Sequence, residues 1–255
     1  MKILHLDIEI TPNKIWDFNS PTHSNRKPIS HEMIINSSSV LCFAAKWHGK
    51  KKVLFFSIHD MTEKQLAQAA YDLLDEADVI VGYFSSGFDV PRLRTIIMEH
   101  NLPPPSYHVD VDLYRVIKNR FKYPCYKLDY VLRRLGIGQK VKHEGFGLWR
   151  KCIEGDEKAW QRMKRYNIGD VRPLEALYLR LLPWIPRHPN YNLYNDDGVR
   201  VCPHCNSQRP LYNNGFQYTQ AGKYRRYICR DCGARSKGRT TELSRETKQS
   251  MVKPL

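Results

Sequence analysis

The sequence predicts an α/β protein: a mixed sheet with helices packed on it, followed by a small C-terminal β module. Three observations carry this. Hydrophobic patterning opens with strands that read as antiparallel and then alternates strand with helix. The patterning stops at PWIPRHPNYNLYNDDG, Pro183 to Gly198, where Pro and Asn suit neither helix nor strand. Beyond it, two C-x-x-C pairs stand in a basic stretch poor in aliphatic residues. The expected organisation is therefore a domain at residues 1–182, a linker at 183–197 and a module at 198–255.

In chain order, KILHLDIEI reads as the first strand, and the polar segment Thr11 to Ser39 as a long loop. VLCFAAKWH and KKVLFFSIH, joined at Gly49, read as a hairpin. Thr62 caps an amphipathic helix running to about Glu76, because MTEKQLAQAAYDLL repeats apolar residues at helical spacing. ADVIVGYF is a short apolar strand. FDVPRLRTIIMEH is a helix whose Pro falls in the first turn, where a missing N–H does no harm. YHVDVD is a weaker strand, YKLDYVLRRLG a helix closed by Gly136, and a long helix covers Asp156 to Leu182. In the module, QYTQAGKYRRYICR reads as two strands around a Gly turn.

Composition narrows the function classes. With 42% hydrophobic and 11% aromatic residues the chain can build a core, which excludes a disordered protein. No run approaches the roughly 18 apolar residues of a membrane span, and MKILHLDIEI reaches acidic residues too early for a signal peptide. Seven cysteines, an odd number, without a secretory signal point to a reducing cytosol and not to a disulfide framework. The net charge of +15 is uneven: from Gly198 onward 12 Lys and Arg face 3 Asp and Glu, +9, against +6 for the rest. Such a tail points to a polyanion, most often nucleic acid. The plainer alternative is that these side chains only keep the protein soluble.

Asp7 and Glu9 lie two apart in a strand and so share one face, about 7 Å apart at ~3.3 Å rise per residue. Unpaired carboxylates there would repel each other and lose hydration, and a divalent cation removes both penalties. Oxygen-only ligands select hard ions such as Mg²⁺ or Mn²⁺. A solvated strand face with two ordinary acids is the alternative for D-x-E alone. Two further acidic positions join it: Asp89 in GFDVPRL, where the chain enters a helix, and Asp170, four residues after Tyr166 on one face of the long helix.

The order Asp7-Ile8-Glu9, Phe88-Asp89 and Tyr166-x-x-x-Asp170 resembles the DEDD exonucleases of the ribonuclease H-like fold. The Tyr at the Y-x-x-x-D position marks the tyrosine subtype; the other subtype carries a His one residue earlier, where this chain has Arg165. The resemblance covers residues 1–182 and takes in AAKWHGK and LDYVLRRLGIGQK. It implies a ribonuclease H-like mixed sheet flanked by helices, and a 3′→5′ exonuclease acting on single-stranded DNA or RNA through two Mg²⁺ or Mn²⁺ ions about 4 Å apart. It further implies that Asp7 bridges both ions, that Glu9 and Asp170 complete the site near the attacking water, that Asp89 supports the second ion through water, and that the Tyr166 hydroxyl orients the nucleophile. By family analogy the chain suits a small bacterial or viral enzyme. One departure stands out. Many relatives carry Asn a few residues before the second-motif Asp, whereas GYFSSGFD has Phe84 five and Ser85 four residues before Asp89, which leaves open how the terminal nucleotide is held. Tyr83 and Phe84 either stack on a base or, more commonly for such rings, pack in the core.

Cys202-x-x-Cys205 and Cys229-x-x-Cys232, with 23 residues between the pairs, have the spacing of a four-thiolate Zn²⁺ site, and Gly233 suits the turn after the second pair. The module resembles a zinc ribbon. Four protein ligands make its metal structural, and a 58-residue module with few aliphatics depends on that metal to fold. Lys223, Arg225, Arg226, Arg230 and Arg235 interleave with Tyr218, Tyr224 and Tyr227, a mixture suited to phosphates and bases. Docking of a protein partner is the other use of such a ribbon. Cys42, Cys125 and Cys152 stand alone and read as buried thiols. The ten His show no metal spacing, with His204 a bystander inside the first knuckle, and GIGQK lacks the P-loop pattern.

Two rivals to the exonuclease remain open: an endonuclease on the same fold cutting hybrid or branched substrates, and a non-catalytic nucleic-acid-binding protein. Tyr166 speaks against the first and the complete carboxylate set against the second.

Overall fold

A computed structural model describes residues 1–16, 30–141, 144–195 and 198–252. Residues 17–29 of the loop expected between Thr11 and Ser39 lie outside the described residues, as do positions 196–197 of the expected linker; the described ends of that loop pair as two short strands, Lys14–Ile15 and Ile34–Asn36. The chain divides into two compact units, Lys2–Leu177 and Tyr178–Leu255.

The first unit is built on a five-stranded mixed sheet. β1 is Ile3–Ile10, a small pair β2 (Lys14–Ile15) and β3 (Ile34–Asn36) follows, and β4 (Val40–Trp47) and β5 (Leu54–Ser57) form the expected hairpin. Helix α1 (Glu63–Glu76) leads to β6 (Val79–Gly82), α2 (Asp89–Glu99) to β7 (Val109–Asp112). The strand order is β5-β4-β1-β6-β7, antiparallel on the β4 side of β1 and parallel on the β6 side. Helices α3 (Leu113–Arg120), α4 (Leu128–Arg134), α5 (Phe146–Ile153) and α6 (Glu157–Leu181) complete the series.

Local chemistry explains the boundaries. Thr62 Oγ1 accepts from the Gln65 amide at 3.3 Å, and Gln65 Oε1 accepts from the Thr62 amide at 2.9 Å, a reciprocal cap that typically stabilises a helix by about 1 kcal/mol. Gly136 ends α4 region with φ +67°, as a glycine after a helix does. Helices α3 and α5, eight residues each and about two turns long, have no counterpart among the elements the sequence predicts. Asp112 closes β7 and at once caps α3, accepting from the Arg115 amide at 3.3 Å.

Alternation along β1 sorts its side chains. Leu4, Leu6 and Ile8 join Phe43 and Ala45 of β4 and the apolar faces of α1 and α2 in one buried cluster. A second buried cluster joins Leu41 and Cys42 to Leu148 and Cys152 of α5 and to Ala159, Trp160, Met163 and Tyr166 of α6. His5, Asp7 and Glu9 occupy the alternate positions of β1, opposite Lys46, Ala44 and Cys42 in the β4 register.

The second unit holds a three-stranded antiparallel sheet of β8 (Tyr212–Thr219), β9 (Gly222–Ile228) and β10 (Arg235–Thr241), in the order β10-β9-β8, and a short α7 (Arg245–Ser250). β8 and β9 are the expected hairpin; β10 is an addition, since RSKGRTT has no apolar alternation and is a strand only through its pairing with β9. Within residues 183–195, Ile185 and Tyr191 are buried. The Asn192 side chain both donates to the Val201 carbonyl at 3.1 Å and accepts from the Val201 amide at 3.0 Å. His188 Nδ1 lies 2.7 Å from the Pro189 carbonyl, so that nitrogen carries the proton and Nε2 accepts from the Tyr178 hydroxyl at 2.6 Å. No described helix is long and apolar enough to cross a membrane.

Candidate functional site

The sheet brings Asp7 and Glu9 up on one side of β1, and α6 crosses that side with Asp170. Ligand oxygens of Asp7, Glu9 and Asp170 lie within 4.8 Å of one another. Asp170 is almost wholly buried, and Asn167, one turn earlier, donates to Asp7 Oδ2 at 2.8 Å and to the Asp7 carbonyl at 3.1 Å. That amide fixes the Asp7 carboxylate against the helix.

Asp89 opens α2 and is buried, its Oδ1 accepting from the Ile8 amide at 2.9 Å. Parallel pairing of β1 with β6 ends at His5, so the Asp89 carboxylate serves the β1 edge where the neighbouring strand has stopped. Asp89 is not among the three mutually close ligands, yet it is the strongest charge acting on Asp7.

Burial and repulsion raise the proton affinity of this set. Burial, then the charges of Asp89, Asp170 and Glu9, push Asp7 well above the usual carboxylate range. Burial and Asp170 bring Glu9 to about 8, although the Trp149 indole on α5 hydrogen-bonds its carboxylate. Burial takes Asp89 to about 7, against the opposing effect of the Ile8 amide.

Among the described residues, one cation enters this nest. Lys140 Nζ lies 2.6 Å from Asp170 Oδ2 and donates to the Tyr166 hydroxyl at 3.3 Å. Burial alone would lower its pKa, but the Asp170 carboxylate more than reverses this and keeps the ammonium charged. Two features bring Lys140 there. Its amide donates to Asp129 Oδ1 at 2.8 Å, tying the segment to the start of α4. Gly169 lets the neighbouring Val141 approach α6: a Cβ at Gly169 would lie 2.6 Å from Val141 Cγ2. Tyr166 is buried beside them, edge-on to Trp149 with ring centroids 5.8 Å apart. Burial and the Asp170 charge raise its phenol above the ordinary value, so it keeps its proton.

All five predicted residues of the first unit thus lie in one neighbourhood. Lys140, Asn167 and Trp149 were not anticipated. Asn167 adjoins Tyr166 in the motif and could have been suspected; Lys140 sits 30 residues before its partner Asp170, with no spacing that signals the contact. His5, two positions before Asp7, also gathers unexpected partners: its Nε2 is 3.2 Å from His48 Nδ1, which is 3.1 Å from Glu175 Oε1. Strand pairing, and not sequence spacing, creates that cluster. The buried Lys46 ammonium pairs with the other Glu175 oxygen, which balances its charge.

In the second unit, Cys202, Cys205, Cys229 and Cys232 converge, with Sγ atoms 3.8 Å apart for Cys202–Cys232 and 3.7 Å for Cys205–Cys229. Each pair sits in a matching turn: the Asn206 amide donates to Cys202 O at 3.0 Å and the Gly233 amide to Cys229 O at 3.0 Å, with φ +61° at Asn206 and +74° at Gly233. His204 stacks on His188, centroids 5.5 Å apart.

The predicted basic residues do not form one surface. Lys223 and Arg225 both sit over the Phe216 ring, at 4.1 and 4.5 Å, while Tyr224 lies under Lys237 at 4.7 Å and Arg226 Nε donates to Asn214 O at 2.8 Å. Alternation along β9 puts the first two on one face and the others on the opposite face. Arg230 covers Tyr212 at 3.3 Å and Arg235 is exposed. Phe216 is an organising residue that the basic pattern did not reveal.

No curated protein matches the chain. Among solved structures, the crystal structure of Trypanosoma brucei RNase D is similar with a TM-score of 0.43 and 14% identity, over 69% of this chain and 56% of that one. The chain therefore spans little more than half the length of that structure. The family profile described as the RNase_H superfamily matches residues 35–182, a span that includes Asp89, Tyr166 and Asp170 and begins after Asp7 and Glu9. With more than half of its length matched in this way, the chain belongs to the RNase_H superfamily.

Proposed function

We propose that the chain is a metal-dependent 3′→5′ exonuclease that hydrolyses phosphodiester bonds of single-stranded nucleic acid. The observation that carries this reading is the convergence of Asp7, Glu9 and Asp170 within 4.8 Å, with Asp89 beside them. The donor set fits the ions the reading needs. It offers only hard oxygens, and its raised proton affinities reflect an ionised form in want of positive charge. Asp7, Glu9 and Asp170 would hold two Mg²⁺ or Mn²⁺ ions, with Asp89 adding to their field. Such ions, when bound, neutralise phosphate charge and acidify water.

The chain's own groups do the rest. Asn167 holds the Asp7 carboxylate in place. Tyr166, protonated and held by Lys140, orients a water by hydrogen bonding and is no base at neutral pH. Tyr166→Phe is expected to lower turnover by about 10²- to 10⁴-fold, the range for a positioned proton-handling group, with KM little changed. Steady-state kinetics check this; wild-type turnover would demote Tyr166 to packing.

Lys140 supplies charge that partly neutralises the set. Lys140→Met should destabilise the protein in chelator by about 2 kcal/mol, less than the 3–5 kcal/mol of breaking a fully buried pair because Lys140 remains about a third exposed. Added Mn²⁺ should narrow that gap. Denaturant melts with and without Mn²⁺ test it, and equal melts in chelator would contradict it.

In the second unit, the four cysteines would hold one structural Zn²⁺. Tetrahedral sites with bonds of about 2.3 Å put sulfurs roughly 3.8 Å apart, and the observed separations are 3.7 and 3.8 Å. Lys223, Tyr224, Arg225, Arg226, Arg230 and Arg235 would hold the nucleic acid backbone and bases, through two faces of the sheet.

The direct test is digestion of 5′-labelled single-stranded DNA and RNA with Mg²⁺ or Mn²⁺. Products shortened stepwise from the 3′ end are expected. Internal cuts would favour an endonuclease on the same fold, and binding without products a non-catalytic protein.

A further inference from the structure

Phe84 combines three properties that rarely coincide. Its backbone has φ +66°, a conformation bulky side chains avoid. Its side chain is large and apolar. Yet the residue is 45% exposed, so core packing does not account for holding it there. The turn is nonetheless built around it. The Phe84 amide donates to Asp112 Oδ1 at 3.0 Å and Ser86 Oγ donates to Asp112 Oδ2 at 2.7 Å. The Gly87 amide donates back to the Phe84 carbonyl at 3.1 Å. A Cβ at Gly87 would lie 3.0 Å from the Phe84 ring, and one at Gly82 would lie 2.5 Å from Ser85 Cβ. Two glycines and a buried carboxylate therefore keep an exposed ring in a strained backbone, the pattern of a residue kept for contact with a ligand.

The surroundings say which ligand. Phe84, Tyr114, Tyr126 and Lys127 line a cleft of about 660 Å³ that also reaches Asp7 and Lys140. The Phe84 and Tyr114 rings meet edge to face, centroids 5.3 Å apart, and Tyr83 meets Tyr114 likewise at 5.7 Å. The Tyr83 hydroxyl donates to the Tyr126 carbonyl at 2.5 Å, locking that wall. Asp129 also lines the cleft, paired with Arg133, and Lys140 is paired with Asp170, which leaves Lys127 as the lining ammonium without such a pair among the described residues. An aromatic wall with an ammonium group beside it, opening onto a carboxylate cluster, matches a flat π system joined to an anion: a nucleotide.

We propose that Phe84 is the stacking platform for the base of the terminal nucleotide. This rests on the reading of the carboxylate cluster as a site for a strand end. Stacking on a ring tolerates any base, so the cleft selects an unpaired end and not a sequence.

The test uses the full-length protein and two 5′-fluorescein single strands, identical except that one ends in an ordinary adenine nucleotide and the other in an abasic tetrahydrofuran nucleotide. Anisotropy gives affinity without turnover, and cleavage with Mg²⁺ gives KM. Wild type should favour the base-bearing end by about 5- to 150-fold, the span of one base–aromatic stack. Phe84→Gly should abolish the preference, Phe84→Trp should retain it, and Phe84→Gly should melt no lower than wild type, since Gly takes φ +66° freely. Equal treatment of both ends by wild type, or an intact preference in Phe84→Gly, overturns the proposal; strands still shortened in that case leave the exonuclease reading standing. Base-dependent binding lost in Phe84→Gly, with no strand shortened, supports the stacking site and removes the exonuclease.

Discussion

Asp7→Asn is expected to bring strand shortening down to background while the protein stays folded. Asn keeps the shape of the side chain and can still accept from Asn167, now at 2.8 Å from Asp7 Oδ2, but it removes a negative charge from the middle of the cluster. The stability side of this prediction has a definite sign. Burial and three neighbouring acids raise the folded-state pKa of Asp7, so the folded protein binds that proton more tightly than the unfolded chain. The resulting stability is fully present below the ordinary carboxylate pKa, about 4, and is lost as pH rises through the raised folded value. In metal-free buffer at pH 7, Asp7→Asn should therefore melt at or above the wild-type temperature. Thermal melts in chelator and digestion of labelled strands check the two halves. A variant with wild-type rate would remove Asp7 from the chemistry, and one that fails to fold would show the carboxylate to be a structural anchor.

Cys202→Ser should unfold the C-terminal module. Among the described residues from Gly198 onward, the buried apolar side chains are Val201, Cys202, Cys229 and Ala234, two of the four being cysteines; the other buried apolar groups of the second unit, Tyr178, Leu181, Leu182, Ile185 and Tyr191, precede the strands. β8 and β9 bury little besides Gly222. Conformational entropy of about 1–2 kcal/mol per ordered residue cannot be offset by so few side chains. Metal binding by four thiolates supplies roughly 10–16 kcal/mol at neutral pH in small zinc modules, and that energy is folding energy. Hydrogen exchange at the β9 amides reads the outcome: protection in the zinc-loaded wild type, near-complete loss in Cys202→Ser and in chelator-treated protein. Persistent protection without metal would show that the module folds on its side chains alone.

How much of this was legible depended on the range of the interaction. Several signals confined to one element were legible, although those of α3 and α5 were not. The D-x-E alternation placed Asp7 and Glu9 on one face of β1, the Thr62 cap marked the start of α1, and the Y-x-x-x-D spacing put Tyr166 and Asp170 on one face of α6. The four-cysteine cluster was legible because C-x-x-C spacing is itself the geometry of a metal grip. Features set by pairing between elements were hidden. β10 is a strand because β9 offers hydrogen bonds to it, and His5 meets His48 because β1 pairs with β4. Lys140 reaches Asp170 through a side-chain-free Gly169 and an anchor on Asp129, neither of which leaves a periodic trace. The Arg and Tyr of β9 interleave in the sequence, and strand alternation divides them between two faces. Phe84 illustrates the same limit. Its apolar type suggested the core, and only the backbone turn reveals that it is held toward solvent.

We propose that the acids of β1 and α6 are tolerated because divalent cations sit among them. Titration of zinc-loaded protein with Mn²⁺, followed by electron paramagnetic resonance of the free ion, tests it most directly. Uptake of two Mn²⁺ ions by the wild type is expected, with loss of that uptake in Asp7→Asn and Asp170→Asn. A wild-type protein that leaves Mn²⁺ free in solution, or variants that bind it as the wild type does, would contradict it.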